Sequence, residues 1–130
     1  MKTIDYVFKI QSFLSQRKSI DYAVVFGSVL RRMRLDSDVD ILIQGRVNHS
    51  QRVKLGLELE KFLHRPVDVV LVDEASCELV LEALKTGRIV VRRNYERLKK
   101  DYLRNFYLYD DTTNLRRLRE ERIKRRFVRG

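Results

Sequence analysis

The sequence has few of the residues that usually constrain a small protein: one cysteine, one proline and no tryptophan in 130 residues. A single cysteine excludes an intramolecular disulfide and fits a reducing compartment, so a packed core must hold the fold together. A chain of this length buries roughly two-thirds of its unfolded surface, which is enough for such a core. The composition therefore predicts one domain spanning residues 1–130.

Long apolar runs are also missing. No stretch approaches the ~20 apolar residues that a membrane-spanning helix needs. Residues 1–16 carry polar side chains throughout, whereas a signal peptide has a continuous apolar centre. We therefore expect a cytoplasmic protein that makes no contact with a membrane.

Acidic residues are scarce relative to basic ones in the last third of the chain. Residues 92–130 hold 14 Lys/Arg against 6 Asp/Glu, so this segment contributes +8 of the formal net charge of +10. The first 91 residues are nearly balanced. A basic tail of this kind is either a surface for RNA or an acidic partner, or simply a solvated helical face. The sequence leaves both interpretations open.

Hydrophobic periodicity predicts alternating strands and helices. Short β-branched runs bounded by turn residues indicate buried strands, and apolar residues at helical spacing indicate helices. The predicted strands are Tyr22–Phe26, Val39–Ile43, Val67–Val72 and Ile89–Val91; the predicted helices are Thr3–Lys18, a helix from Asn48 or Ser50 to about His64, Ala75–Lys85 ended by Gly87, and a segment from Asn94 onward. We expect this last helix to break at residues 110–114, because Asp-Asp-Thr-Thr-Asn disfavours a helix interior.

This order of elements predicts an α+β (mixed α/β) fold. One small sheet would be flanked by helices on both faces, because its strands are apolar on both sides. The core is expected to cover residues 5–91 and a basic helical extension residues 94–130. Within that extension, four aromatic residues recur at helical spacing: Tyr102, Phe106, Tyr107 and Tyr109. Their pattern favours core packing or a partner interface over stacking on nucleic-acid bases.

Two aspartates, Asp38 and Asp40, open the second predicted strand. Residues two apart on a strand point to the same face, where carboxylates roughly 5 Å apart repel by about 3 kcal/mol. A cation, a shared proton or exposure would offset this repulsion. Carboxylate oxygens suit Mg²⁺, with Mn²⁺ as the alternative. Asp68, one residue into the third strand, would reach the same face if the two strands are neighbours, and three carboxylates could hold two metal ions.

Gly27 and Ser28 directly follow the first predicted strand. Glycine lets a phosphate approach the backbone, and the serine hydroxyl and following N–H groups can donate to it. Gly-Ser alone is a weak signal, and so is Asp-x-Asp. The combination is much more specific: a strand, Gly-Ser, a basic loop with Arg31, Arg32 and Arg34 as candidate phosphate contacts, Asp-x-Asp, and a later strand aspartate.

These motifs resemble the minimal nucleotidyltransferases (MNT type) of the DNA polymerase beta-like superfamily, over about Asp5–Val91. The resemblance implies a nucleotidyltransferase fold and transfer of a nucleoside monophosphate from a triphosphate to an acceptor hydroxyl; we expect AMP from ATP. It implies that Asp38, Asp40 and Asp68 bind the metal, that Asp68 also helps to activate the acceptor, and that Gly27 and Ser28 hold the triphosphate. Members of this family often act as antitoxins that adenylylate a tyrosine of a HEPN-domain toxin, so the resemblance implies such a partner in a homo- or hetero-oligomer.

Two alternatives stay open. The glycine that family members carry a few residues after the serine is absent, and Arg31-Arg32-Met33 stands there instead. One alternative is therefore a toxin- or RNA-binding module with a vestigial site. The other is nucleotidyl transfer to RNA, with the basic tail as the substrate surface.

Overall fold

The computed structural model describes residues 3–27 and 38–128, with side chains described for residues 5–27, 38–111 and 115–122. The described elements, in chain order, are α1 (Thr3–Ser15), β1 (Ile20–Phe26), β2 (Val39–Gly45), α2 (His49–Leu63), β3 (Val67–Leu71), a 3₁₀ turn (Val72–Glu74), α3 (Cys77–Thr86), β4 (Arg88–Arg92) and α4 (Tyr95–Val128). The predicted order of strands and helices is confirmed, with shifts of a few residues at the ends.

The four strands form one mixed sheet in the order β3-β2-β1-β4. β1 is antiparallel to both of its neighbours, β2 and β4, while β2 and β3 run parallel. Because of these directions, β1 ends at the same edge of the sheet at which β2 and β3 begin. That edge brings together the ends of three strands that are far apart in the sequence.

Helices cover both faces of the sheet, as the doubly apolar strands predict. One face packs against α1 and α2 through buried residues such as Ile10, Leu59 and Ile41. The other packs against α3 and α4 through residues such as Leu42 and Val80. Because side chains alternate along a strand, Asp40 lies on the same face as Leu42, the face that α3 and α4 cover.

The helix ends follow the local sequence. Asn48, one of the two predicted caps, closes a capping box with Gln51: the Asn48 side chain accepts from the Gln51 N–H at 2.8 Å, and the Asn48 N–H donates to the Gln51 side chain at 2.9 Å. α3 ends at Gly87, as predicted, and the Gly87 N–H donates to the Ala83 carbonyl at 2.8 Å. Asn48 thus fixes where α2 begins after β2, and Gly87 fixes where α3 ends before β4.

The prediction of a break at residues 110–114 is wrong. α4 runs unbroken for 34 residues through this stretch. Asp, Asn and Thr are only a few tenths of a kcal/mol less favourable than alanine at each helical position. Extending an existing helix through them costs less than starting a second helix, because nucleation is the expensive step.

A buried polar network attaches α4 to the sheet, and the sequence patterns do not predict it. Asp101 is 3% exposed and accepts from the Tyr22 hydroxyl at 2.7 Å and from the Gln44 amide at 2.9 Å. Arg97 on the same helix donates to it at 3.1 Å. Tyr22 belongs to β1 and Gln44 to β2, so one carboxylate joins α4 to two strands.

We expect Tyr22 to make the protein sensitive to alkali. Burial, and next the hydrogen bond to Asp101, raise the pKa of the Tyr22 phenol above its usual value. The phenol therefore contributes stability that is fully present below about pH 10, the ordinary tyrosine pKa, and is lost as the pH rises further. Tyr22→Phe should lower the free energy of unfolding by about 1–2 kcal/mol at neutral pH. It should also reduce the loss of stability between pH 7 and pH 11. Chemical denaturation of both proteins at pH 7 and pH 11 tests this, and an equal alkaline loss in both would contradict it.

Candidate active site

The sheet edge where β1 ends and β2 and β3 begin gathers most of the predicted site residues. Asp40 on β2 is the register partner of Phe26 at the end of β1 and of Asp68 on β3. The condition for Asp68 to reach the site, that β3 lies beside β2, is therefore met. Two aspartates that are 28 positions apart in the sequence lie side by side on adjacent strands.

The carboxylates at this edge interact electrostatically. Partial burial raises the pKa of Asp40, and the charges of Asp68 and then Asp38 raise it further. Asp38, just before β2, and Asp68 are both exposed, whereas Asp40 is half-buried. The site therefore concentrates negative charge around one partly desolvated carboxylate, an arrangement that favours a bound cation.

Gly27 directly follows the end of β1 and lies against Asp40 at this edge. Its φ of +86° is the left-handed conformation that side chains rarely adopt. A Cβ atom at this position would overlap the Oδ2 atom of Asp40. The absence of a side chain is thus what allows the Asp40 carboxylate to lie against the end of β1.

Gly27→Ala should therefore damage the site more than the fold. The added methyl group forces a strained φ and displaces the Asp40 carboxylate, so we expect activity to fall by at least about a hundredfold. The free energy of unfolding should fall by roughly 1–3 kcal/mol. Gly56→Ala is the matched control, because a Cβ there meets its nearest neighbour, a Val69 methyl, at an ordinary 3.7 Å. Equal activity losses in the two variants would contradict this account.

The donor chemistry of the edge suits a hard divalent cation. Within residues 3–27 and 38–128, no group of three or more His, Cys, Asp or Glu residues is arranged to hold a metal ion unaided. Mg²⁺ does not need such a cage, because it is commonly bound by one or two carboxylates together with substrate phosphates. Asp40 with Asp38 or Asp68 fits that pattern. Ser28 and the arginine-rich loop, residues 28–37, lie outside the described residues.

A shallow cavity adjoins Asp68 on the outer side of β3. It has a volume of about 140 Å³, and its lining includes Arg52, Val53, Leu57 and Asp68. Val53 and Leu57 are exposed apolar side chains of α2. The cavity gives a second molecule room to approach the Asp68 end of the site along the edge of the sheet.

Solved structures show which fold this is. A chain in a structure of the toxin–antitoxin complex MntA–HepT has 18% sequence identity to this one and superposes with a TM-score of 0.71. The match covers 92% of this chain and 97% of the chain in that structure. A toxin–antitoxin structure with AMP-PNP matches 90% and 97%, with a TM-score of 0.74 and 20% identity. A tri-AMPylated Shewanella oneidensis HEPN toxin in complex with MNT antitoxin matches 93% and 98%, with a TM-score of 0.72 and 18% identity. The four-stranded mixed sheet flanked by helices is thus the nucleotidyltransferase fold, as the sequence motifs imply.

Residues 8–96 match the model of the family described as polymerase beta, nucleotidyltransferase. The chain belongs to this nucleotidyltransferase family. The matched segment runs from α1 through all four strands to the start of α4, and so includes every predicted site residue. Curated protein sequences give no significant match.

One further finding concerns membranes. In the described part of the chain, every helix is too short or too polar to cross a lipid bilayer.

Proposed function

We propose that this protein transfers AMP from ATP to a hydroxyl group of a partner protein, in a Mg²⁺-dependent reaction. The observation that carries the proposal is the register of β1, β2 and β3, which places Gly27, Asp40 and Asp68 at one edge of the sheet. Nucleotidyl transfer needs a place for the triphosphate, an anionic metal site and a base for the acceptor. Gly27, Asp40 and Asp68 would supply these in that order.

The reaction exchanges one bond at the α-phosphorus of ATP. The acceptor oxygen forms a bond to this phosphorus, the bond to the β-phosphate oxygen breaks, and pyrophosphate leaves. Asp68, exposed beside the cavity at β3, takes the proton from the acceptor hydroxyl. Asp38 and Asp40 would hold Mg²⁺, which neutralises phosphate charge when it is bound. Gly27, with Ser28 next to it, would hold the triphosphate against the end of β1.

A protein is the acceptor that the surroundings of Asp68 favour. The lining of the adjoining cavity combines apolar side chains, among them Val53 and Leu57, with one cation, Arg52, and two carboxylates, Glu60 and Asp68. Apolar side chains of a polypeptide can be buried there, whereas the two carboxylates would repel the phosphates of an RNA chain. The solved structures of this fold include an AMPylated HEPN toxin with its MNT antitoxin, so we propose that the partner is a HEPN-domain toxin modified on tyrosine and that this chain is its antitoxin.

The position of the transferred label tests this proposal. The purified protein is incubated with Mg²⁺ and the protein encoded beside its gene, using ATP labelled at either the α- or the γ-phosphate. We expect label on the neighbouring protein from α-labelled ATP only. Label from γ-labelled ATP would indicate phosphoryl transfer and overturn the proposal, as would the absence of any label. A parallel reaction with total RNA identifies RNA as the acceptor if label appears there instead.

A further inference from the structure

β3 is an edge strand, and no other strand pairs with its outer side in the part of the chain that the structure describes. Backbone groups of successive residues in a strand point to alternate sides. The Pro66 carbonyl points towards β2, where it accepts from the Val39 N–H at 3.0 Å. The N–H and carbonyl groups of Val67 and Val69 therefore point outward, and an outer edge of this kind is a template for another extended segment.

Two side chains of α2 cover the two ends of this outer edge. The Val67 N–H donates to the Glu60 carboxylate at 3.2 Å, and Arg52 donates to the Val69 carbonyl at 3.1 Å. Gly56 lies midway between Arg52 and Glu60 on the helix and has no side chain to extend this cover. The Val67 carbonyl and the Val69 N–H, which lie between the two covered groups, are thus left beside the cavity of about 140 Å³.

These two backbone groups set the register of any segment that pairs with them. A segment that donates to the Val67 carbonyl and accepts from the Val69 N–H places one of its residues opposite Asp68, whether it runs parallel or antiparallel to β3. Residues directly opposite one another in a sheet share a face, with Cβ atoms about 4.5–5.5 Å apart. The side chain opposite Asp68 therefore lies on the face that carries Asp40, beside the base of the proposed reaction.

The neighbours of that central residue point to the opposite face of the sheet. α2 packs on that face, and its exposed apolar side chains Val53 and Leu57 line the cavity. Apolar residues directly before and after the central residue would be buried against them. The edge of β3 therefore fits an extended segment with the pattern apolar, hydroxyl, apolar, in which the hydroxyl lies opposite Asp68.

The charges at this edge discriminate between possible occupants. Two carboxylates, Glu60 and Asp68, line the cavity against one cation, Arg52, so the phosphates of RNA are repelled. On a second copy, the same two backbone groups would pair in the register that sets its Asp68 opposite the first Asp68, and like charges directly opposite one another are destabilising. A neutral hydroxyl side chain such as tyrosine brings no charge to this position.

We propose that the acceptor protein docks as an extended segment on the outer edge of β3, with the hydroxyl residue that receives AMP opposite Asp68 and apolar residues on either side. This inference rests on the proposed function for the chemistry of the acceptor. Strand pairing fixes which residue lies opposite Asp68, so the edge presents one hydroxyl to the base and turns its two neighbours away.

Hydrogen exchange of the Val69 N–H tests the docking directly. The purified neighbouring-gene protein is added in excess without ATP, and amide exchange of this chain is followed by NMR. We expect exchange at Val69 to slow by at least about tenfold in the complex, because this N–H gains a partner. Unchanged exchange at Val69 in the saturated complex, or the absence of a complex, would overturn the inference. So would slowing in the chain alone at high concentration, which indicates a second copy as the occupant.

Leu57→Glu gives an independent kinetic readout. It puts a charge on the side of the cavity where an apolar residue of the acceptor would lie. We expect the KM for the acceptor in AMP transfer to rise by at least about tenfold, with the KM for ATP unchanged. Leu103→Glu on α4 is the matched control, because Leu57 and Leu103 are 56% and 51% exposed; its acceptor KM should stay at the wild-type value.

Docking and transfer can fail separately. AMP transfer without slowed exchange at Val69, and with equal acceptor KM values in Leu57→Glu and Leu103→Glu, refutes docking at β3 alone. Slowed exchange at Val69 in the complex without any AMP transfer refutes the proposed function alone.

Discussion

Asp40→Asn is expected to abolish nucleotidyl transfer and, at the same time, to stabilise the free protein. Transfer should fall by at least about a thousandfold, because the substitution removes the carboxylate closest to Gly27, which is one of the three carboxylates available to a cation there. Stability should rise by about 0.5–2 kcal/mol. The reason is that burial and the charges of Asp68 and Asp38 raise the pKa of Asp40, so its ionised form is disfavoured in the folded protein.

The stability gained by Asp40→Asn should depend on pH. A carboxyl group whose pKa is higher in the folded than in the unfolded state destabilises the fold above its folded pKa, and the penalty disappears as the pH falls towards 4. The stability advantage of Asp40→Asn should therefore be largest at pH 7 and shrink on acidification. Denaturation of both proteins from pH 7 to pH 4 without metal tests this. A variant less stable than the wild type at pH 7 would show that Asp40 has a structural role instead.

Asp101→Ala is expected to cause the largest loss of stability of any single substitution considered. It leaves two buried donors, the Tyr22 hydroxyl and the Gln44 amide, without their acceptor, and it removes the ion-pair partner of the partly exposed Arg97. Leaving two buried donors unsatisfied costs about 1–3 kcal/mol for each, which together lowers Tm by on the order of 10–20 °C. Total stabilities of domains are only about 5–15 kcal/mol, so partial unfolding at 37 °C is expected.

Asp111→Ala provides the comparison for that measurement. Asp111 is an acidic residue of the same helix with an exposed side chain, so its replacement should change stability by less than about 0.5 kcal/mol. Thermal unfolding of the two variants beside the wild type is sufficient. Similar Tm values for Asp101→Ala and the wild type would mean that packing of Leu98 and its neighbours, rather than the polar network, holds α4 to the sheet.

Most of the fold could be predicted from local patterns. Strands such as Tyr22–Phe26 are short, β-branched and bounded by turn residues, and Asn48 and Gly87 mark helix ends through backbone chemistry that depends only on neighbouring residues. The break expected near Asp110 failed because intrinsic propensity is weak beside the cost of nucleating another helix. Strand order and the parallel pairing of β2 with β3 depend on contacts between distant residues, which local patterns do not reveal.

The candidate site could be predicted because its residues form a recognisable spacing. Asp38 and Asp40 are paired by strand periodicity alone, and the sheet register then places Asp68 beside them. The Tyr22–Gln44–Asp101 network had no such signal, because its members lie on three elements and look individually like ordinary strand and helix residues. The exposure of Tyr107 and Tyr109 was left open, since apolar residues at helical spacing indicate either a core or a partner interface.

The mass of the acceptor protein tests the central claim most directly. The neighbouring-gene protein is incubated with ATP, Mg²⁺ and either the wild-type chain or Asp68→Asn, and its intact mass and modified peptides are then measured. We expect the wild type to add AMP to a tyrosine of the acceptor, and Asp68→Asn to leave the acceptor unmodified although it still binds. An acceptor that binds the wild-type chain and gains no mass would contradict the account.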